Sequence, residues 1–251
     1  MKKIAFLGGG KIGRAMLSHV QEKKNAEVAF VYDPFLKEET VCGVKVVSEI
    51  DRAMFEGLDL VVECATAEVV KANLEDILST CSFMPFSMTA FQEDALREKA
   101  KELCARYGTN VFLPHGAILG LDGIFDGREL LESVVITTTK RPANLGSNVK
   151  EKTVLFDGPT REACQKFPRN VNVHAGIAIA GLGFDKTRSR IVADPDVEGN
   201  THLIEVQADG MRFNIEVCSV PKGLVTGAYT PVSAFNALKR IVSDEPGLVI
   251  C

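Results

Sequence analysis

The stretch Lys3-Ile4-Ala5-Phe6-Leu7-Gly8-Gly9-Gly10-Lys11-Ile12-Gly13 decides the fold. Residues 3–7 read as a buried parallel strand that runs straight into the glycines. Gly8 permits a tight strand-to-helix turn, Gly10 lets backbone approach a pyrophosphate, and Gly13 lets the new helix pack closely on the sheet. Ile12, Ala15, Met16, His19 and Val20 then recur at helical spacing. The start of such a helix offers N–H groups and a partial positive charge to phosphates. A second apolar run, Val28-Ala29-Phe30-Val31-Tyr32, ends on Asp33. That aspartate lies about 20 residues beyond the last glycine, where a ribose-binding acid belongs. The pattern points to a dinucleotide; its plainer alternative is a glycine turn in the same kind of sheet that binds no nucleotide.

The chain of 251 residues can bury a substantial core. Hydrophobic residues make up 46% and charged residues 25%, the proportions of a soluble globular protein. A net charge of −4 gives no electrostatic reason to expect nucleic acid or an anionic membrane. Met1-Lys2-Lys3 begins like a signal peptide, but the glycine turn interrupts the apolar run too early, and no stretch is long enough to span a bilayer. The 7 cysteines are scattered and show no C-x-x-C pair. Free thiols in a reducing cytoplasm fit that usage better than a zinc site or a disulfide framework. The 4 histidines likewise lack metal spacing, so no metal is expected.

Up to about residue 115 the pattern alternates strand and helix. A polar, acidic turn follows Asp33, then a buried strand at 58–64, a helix on Val69, Val70, Leu74, Ile77 and Leu78, a strand at 83–88, a helix at 93–107 and a strand at 110–114. Strands separated by helix-length segments imply right-handed crossovers and a parallel sheet. The rhythm then changes. Partly alternating strands are expected at 134–139, 153–156, 201–206 and 211–217, with helices at 161–167 and 173–183 between them. A helix at 232–242 and a strand at 247–250 close the chain. The fold class is therefore α/β, an N-terminal Rossmann dinucleotide-binding domain over 1–115 plus an α+β domain with a mostly antiparallel sheet over 116–225. The C-terminal helix and strand, 226–251, are expected to return to the first domain.

The second half offers places for substrate chemistry. Pro114-His115-Gly116-Ala117-Ile118-Leu119-Gly120 has small residues that suit close approach to a flat ring, and reads equally as a domain linker. In Phe167-Pro168-Arg169-Asn170-Val171-Asn172-Val173-His174, Asn172 stands where a helix cap is expected, leaving one asparagine for a carboxamide. Asn200-Thr201-His202 begins a strand after a loop of turn residues. A lone histidine is more often structural than catalytic, yet an unperturbed pKa near 6.5 makes it a natural proton carrier. Lys140 and Arg141 are cations for a carboxylate, or a solvated strand end.

Together these segments resemble the L-aspartate dehydrogenase family over nearly the whole chain. The motifs are Gly8–Gly13, Val62-Glu63-Cys64-Ala65, Gly116-Ala117-Ile118 with Gly120-Leu121-Asp122, the Phe167–Val173 segment, and Ala193-Asp194-Pro195 followed by Asn200-Thr201-His202. The resemblance implies NAD or NADP as cofactor and a second domain that binds substrate and dimerises. It also implies that His202 is catalytic and that Ala117 and Asn172 contact the cofactor. Lys11, Ile12, Cys64 and Ala65 join the glycines and Asp33 as cofactor candidates. This chain departs from the family at His115, where a small residue is usual, and at His174, where alanine is usual. A lysine of the family's C-terminal motif is replaced by Ala228 in Thr226-Gly227-Ala228-Tyr229-Thr230. His115, His174, Asn200 and Thr230 are the substrate candidates.

The expected activity is oxidative deamination of L-aspartate, or a related small acidic amino acid, by a homodimer. Hydride would pass to nicotinamide, with His202 as general base. Rival readings are a related reductase for another amine, imine or carbonyl, and a dinucleotide-binding protein without catalysis.

Overall fold

The computed structural model describes residues 1–220 and 229–243. Two compact units divide the chain, one from Met1–Gly116 joined by the residues after Thr230, the other from Ala117–Thr230. Thus the expected strand at 247–250 and Ala228 lie outside the described residues.

In the first unit, strand β1 (Lys3–Leu7) leads into helix α1 (Lys11–Lys23) and strand β2 (Glu27–Tyr32). A short hairpin, β3 (Thr40–Val41) and β4 (Val44–Val47), occupies what the sequence presents as a polar turn after Asp33. Cys42 and Gly43 close it at positive φ, and β4 pairs parallel with β2. Strand β5 (Leu60–Glu63), helix α2 (Ala67–Leu78), strand β6 (Ser82–Pro85) and helix α3 (Asp94–Tyr107) follow. The sheet order is β3-β4-β2-β1-β5-β6, parallel except for the hairpin.

Two expectations need correction here. The strand expected at 83–88 stops at Pro85, because Glu63 captures the backbone N–H of Ser87. The strand expected at 110–114 is only a bridge from Val111 to Phe83. Proline at 85 and at 114 has no N–H to extend that ladder.

The core forms because α1 turns Gly13, Met16, Leu17 and Val20 onto the sheet. Burying each of the larger side chains stabilises the unit by about 1.5–3 kcal/mol. Helix α7 (Tyr229–Val242) adds Ala234, Phe235, Ala237, Leu238 and Val242 to the same cluster as Ile4, Phe6 and Met16.

The second unit contains helix α4 (Leu121–Asp126), strands β7 (Leu131–Lys140) and β8 (Thr153–Pro159), helices α5 (Thr160–Lys166) and α6 (Asn172–Ala180), and strands β9 (Arg188–Ala193), β10 (Asn200–Ala208) and β11 (Met211–Ser219). Their order is β11-β10-β7-β9-β8, antiparallel except between β7 and β9. Strand β9 and helix α4 are absent from the sequence expectation. In β9, Arg188 and Arg190 interrupt the apolar signal while Ser189, Ile191 and Ala193 form a buried row. Val134 and Ile136 of β7 and Ile204 and Val206 of β10 face Ile177 of α6 and Ile124 of α4 in one core.

Candidate active site

The carboxyl ends of β1, β2 and β5 meet around the glycine turn. Gly8 has φ +107°, and a Cβ there would lie 2.7 Å from the Cys64 carbonyl oxygen. A Cβ on Gly13 would lie 2.2 Å from the Gly8 carbonyl oxygen, so only glycine brings α1 this close to β1. At Gly10 the space beside the backbone is open, with nothing within 4 Å of such a Cβ. No side chain caps α1 and no acid stands in its first turn. Its positive end therefore suits a pyrophosphate. Asp33 follows β2; its Oδ2 accepts the Gly9 N–H at 3.0 Å and its Oδ1 the Phe35 N–H at 3.0 Å. A carboxylate offers about four acceptor sites, so capacity remains for ribose hydroxyls. These features fit a dinucleotide.

Glu63, quoted in a motif but given no task by the sequence, braces this edge. It is wholly buried at the end of β5. Its Oε1 accepts from the Ala65 N–H at 2.6 Å and the Ser87 hydroxyl at 2.8 Å, and its Oε2 from the Ser87 N–H at 3.0 Å. Burial raises its pKa even against those hydrogen bonds. One carboxyl thereby fixes the Cys64-Ala65 turn and the turn after β6. The Cys64 thiol is itself pushed well up by burial and by Glu63, so it stays protonated. His115 lies near the start of α7, its Nδ1 3.5 Å from the Ser233 hydroxyl, which donates to the Gly116 carbonyl at 2.8 Å.

In the second unit, register puts His202 of β10 directly opposite Thr138 of β7. Both point to the buried face of the sheet, Thr138 in the same alternating row as Val134 and Ile136. Thr138 Oγ1 lies 2.8 Å from His202 Nδ1 and 2.6 Å from His174 Nε2. His174 Nδ1 lies 2.8 Å from the Ser189 hydroxyl, which lies 2.7 Å from that of Thr160. His174 is therefore not a substrate contact: it is 0% exposed and both its ring nitrogens are occupied. His202 is 5% exposed, and its Nε2 has no hydrogen-bond partner among the described residues.

Burial, and next the charge of Lys140, lower the His202 pKa to about 4, so the ring is neutral well below pH 7. That corrects the expected proton carrier near 6.5. Burial, then His202 and Lys140, hold the His174 pKa well below its ordinary value. Lys140 is no solvated strand end. It is half-buried, its Nζ donates to Asn170 Oδ1 at 3.0 Å, and burial lowers its pKa. Arg141 is exposed and donates to the Val197 carbonyl at 3.2 Å.

Asn172 is the first residue of α6, with Val171 in the cap position. Ala117 is half-buried in the segment before α4, Asn200 opens β10, and Thr230 sits in the first turn of α7. Sequence reasoning passed over Thr138, Ser189 and Thr160. The available signal was a hydroxyl standing in an otherwise apolar alternating row, which in a core demands a partner.

A family model for the NAD binding domain of homoserine dehydrogenase matches residues 8–114, and one for the C-terminal part of aspartate dehydrogenase matches residues 125–241. The L-aspartate dehydrogenase of Methanococcoides burtonii is 34% identical over 264 residues, covering 96% of this chain and 97% of its own. That of Nitrosopumilus maritimus is 32% identical, with 98% of each chain covered. The crystal structure of aspartate dehydrogenase from Thermotoga maritima superposes with a TM-score of 0.82 at 29% identity, over 98% of this chain and 99% of that one. The scyllo-inositol dehydrogenase of Lactobacillus casei, 12% identical with a TM-score of 0.56 over 96% of this chain and 88% of that one, shares the fold alone.

Proposed function

The chain belongs to the L-aspartate dehydrogenase family, and from that membership we infer NAD(P)-dependent oxidation of the CH–NH2 group of L-aspartate to an imino acid, then oxaloacetate and ammonia. The observation that carries this reading is the near full-length match, joined to an uncapped glycine turn and a neutral buried histidine in one chain. When bound, NAD(P) supplies the hydride acceptor. Gly8, Gly10, Lys11, Ile12 and Gly13 would hold the pyrophosphate end, and Asp33 the adenosine ribose. Cys64 and Ala65 form the neighbouring wall that Glu63 fixes, while Ala117 and Asn172 are assigned cofactor contacts by family resemblance.

His202 is the general base in this reading. Its Nε2 takes the proton of the substrate amine, or of the water that adds to the imine, and returns it to solvent as product leaves. Lys140 offers its charge to a substrate carboxylate, a contact consistent with the loss of the family's lysine at Ala228. The two carboxylates of bound aspartate raise the His202 pKa from its low starting value, so substrate itself sharpens the base. Asn200 and Thr230 remain substrate candidates, and so does His115, whose Nδ1 lies 3.5 Å from the Ser233 hydroxyl of α7.

Asp33 favours NAD over NADP, because its charge repels a 2′-phosphate. Two copies of the second unit pair through the open face of its sheet, where Glu216 and Cys218 are exposed and the Thr137 hydroxyl is buried without a partner. The cytoplasm suits the 6 free cysteines among the described residues. Among those residues no helix is long and apolar enough to cross a membrane, and no three His, Cys, Asp or Glu side chains form a metal site.

Initial rates test the reading. L-Aspartate with NAD should yield NADH, and oxaloacetate with ammonia and NADH should run backwards. Silence in both directions, with NADH still bound, would sink it.

A further inference from the structure

A chain of hydrogen bonds runs through the buried face of the second sheet, and its direction follows from one end. Thr160 Oγ1 lies 2.9 Å from the Thr187 carbonyl, which can only accept, so the Thr160 hydroxyl proton is spent there. Ser189 must then donate to Thr160 across 2.7 Å. With its only proton used, Ser189 must accept from His174 Nδ1–H across 2.8 Å. A neutral His174 with its proton on Nδ1 presents a lone pair at Nε2, so the Thr138 hydroxyl donates to it across 2.6 Å. Thr138 is left with lone pairs only, and His202 Nδ1–H must donate to it across 2.8 Å.

We propose that Thr160, Ser189, His174 and Thr138 are positioning residues that write the tautomer of His202, holding its proton on Nδ1 and leaving the Nε2 lone pair for proton transfer. The proposal rests on the reading of His202 as base. Its geometry also says what the chain does not do. A carbonyl at the far end can take no proton, so the array cannot drain one from the ring and works as an anchor. When Nε2 gains a proton, Nδ1–H still donates to Thr138, and nothing upstream has to rotate. Among the described residues, Lys140 from β7 and His174 from α6 are the titratable groups facing His202, and the lysine charge presses the added proton off again. All the side chains upstream of His202 are 0% exposed, so water cannot stand in for a missing hydroxyl without opening the core.

The test is nitrogen-15 NMR on full-length protein labelled at histidine, with His202→Gln used to assign the His202 ring. Protonated and lone-pair ring nitrogens resonate in separate ranges. Wild type should show His202 with Nδ1 protonated and Nε2 bare. Thr138→Val, equal in shape but without the hydroxyl, should give a mixture of tautomers and lower kcat by about 10- to 100-fold. KM for aspartate and the NADH dissociation constant should stay within about 3-fold. Thr138→Ser should restore both the tautomer and most of kcat. Should Thr138→Val fail to fold, Ser189→Ala breaks the chain two links away and should shift His174 and His202 together. A proton on Nε2 of His202 in wild type, or a Thr138→Val protein with unchanged tautomer and kcat, overturns the proposal. The base assignment fails separately: His202→Ala would then turn over normally while the wild-type tautomer stands as stated.

Discussion

At His202 the surroundings decide the chemistry. A histidine with its pKa at about 4 is unprotonated across the physiological range, the state that the proposed general base requires. His202→Ala should lower kcat by about 10² to 10⁴, the usual contribution of a general base, while the NADH dissociation constant moves only a few-fold. Lys140 shares the setting. Because its charge holds the His202 pKa down, Lys140→Met should move the acid limb of kcat/KM upward from about 4 and raise KM for aspartate. Burial, the larger cause, persists in the variant, so the limb should stay below an ordinary histidine's. An unmoved limb with unchanged KM would remove Lys140 from the site. Asp33→Ala should narrow the preference for NAD over NADP, read as the ratio of the two kcat/KM values.

Helix α1 shows how an element serves the site. Its apolar stripe fixes its rotation, and Gly13 sets its approach to β1. Gly13→Ala puts a methyl 2.2 Å from a backbone oxygen, so the helix must move. Such overpacking costs about 1–3 kcal/mol. Urea unfolding should register that loss, and NADH binding should weaken along with it if the helix start holds the phosphates as proposed. β10 and β7 are the corresponding pair in the second unit. Their register sets His202 against Thr138, and a slip by one residue would turn the histidine to the opposite face.

For the whole molecule, the neutral burial of His202 links stability to pH. Its folded pKa of about 4 lies below the unfolded value near 6.5, so acid favours the unfolded chain between those limits. Stability should be full above about pH 7 and fall as pH drops toward 4, with His202 accounting for roughly 3 kcal/mol of the loss. His174 acts in the same direction. Glu63, with its raised pKa, acts oppositely, so the measurement is the difference in urea stability between wild type and His202→Gln across that range. A flatter pH dependence in the variant is the expected outcome. Sedimentation should find a dimer at micromolar concentration; a monomer would remove the proposed pairing of sheets.

The glycine turn, the helix behind it and Asp33 were legible in the sequence because each depends on neighbours within a few residues: a short apolar run, helical period, the absence of a Cβ. His202 was legible as a candidate from its motif. Its protonation state was not, because pKa follows burial and charges brought in by other strands and helices. Thr138, His174, Ser189 and Thr160 come from β7, α6, β9 and the start of α5, and no spacing along the chain marks them as one array. β9 escaped notice for a related reason: its arginines break the apolar run, and only its place between β7 and β8 makes it a strand. Local chemistry determined the glycine turn and the acid after the second strand; the tertiary structure decided which His202 nitrogen meets Thr138, since that hydrogen-bond array joins residues that only folding assembles.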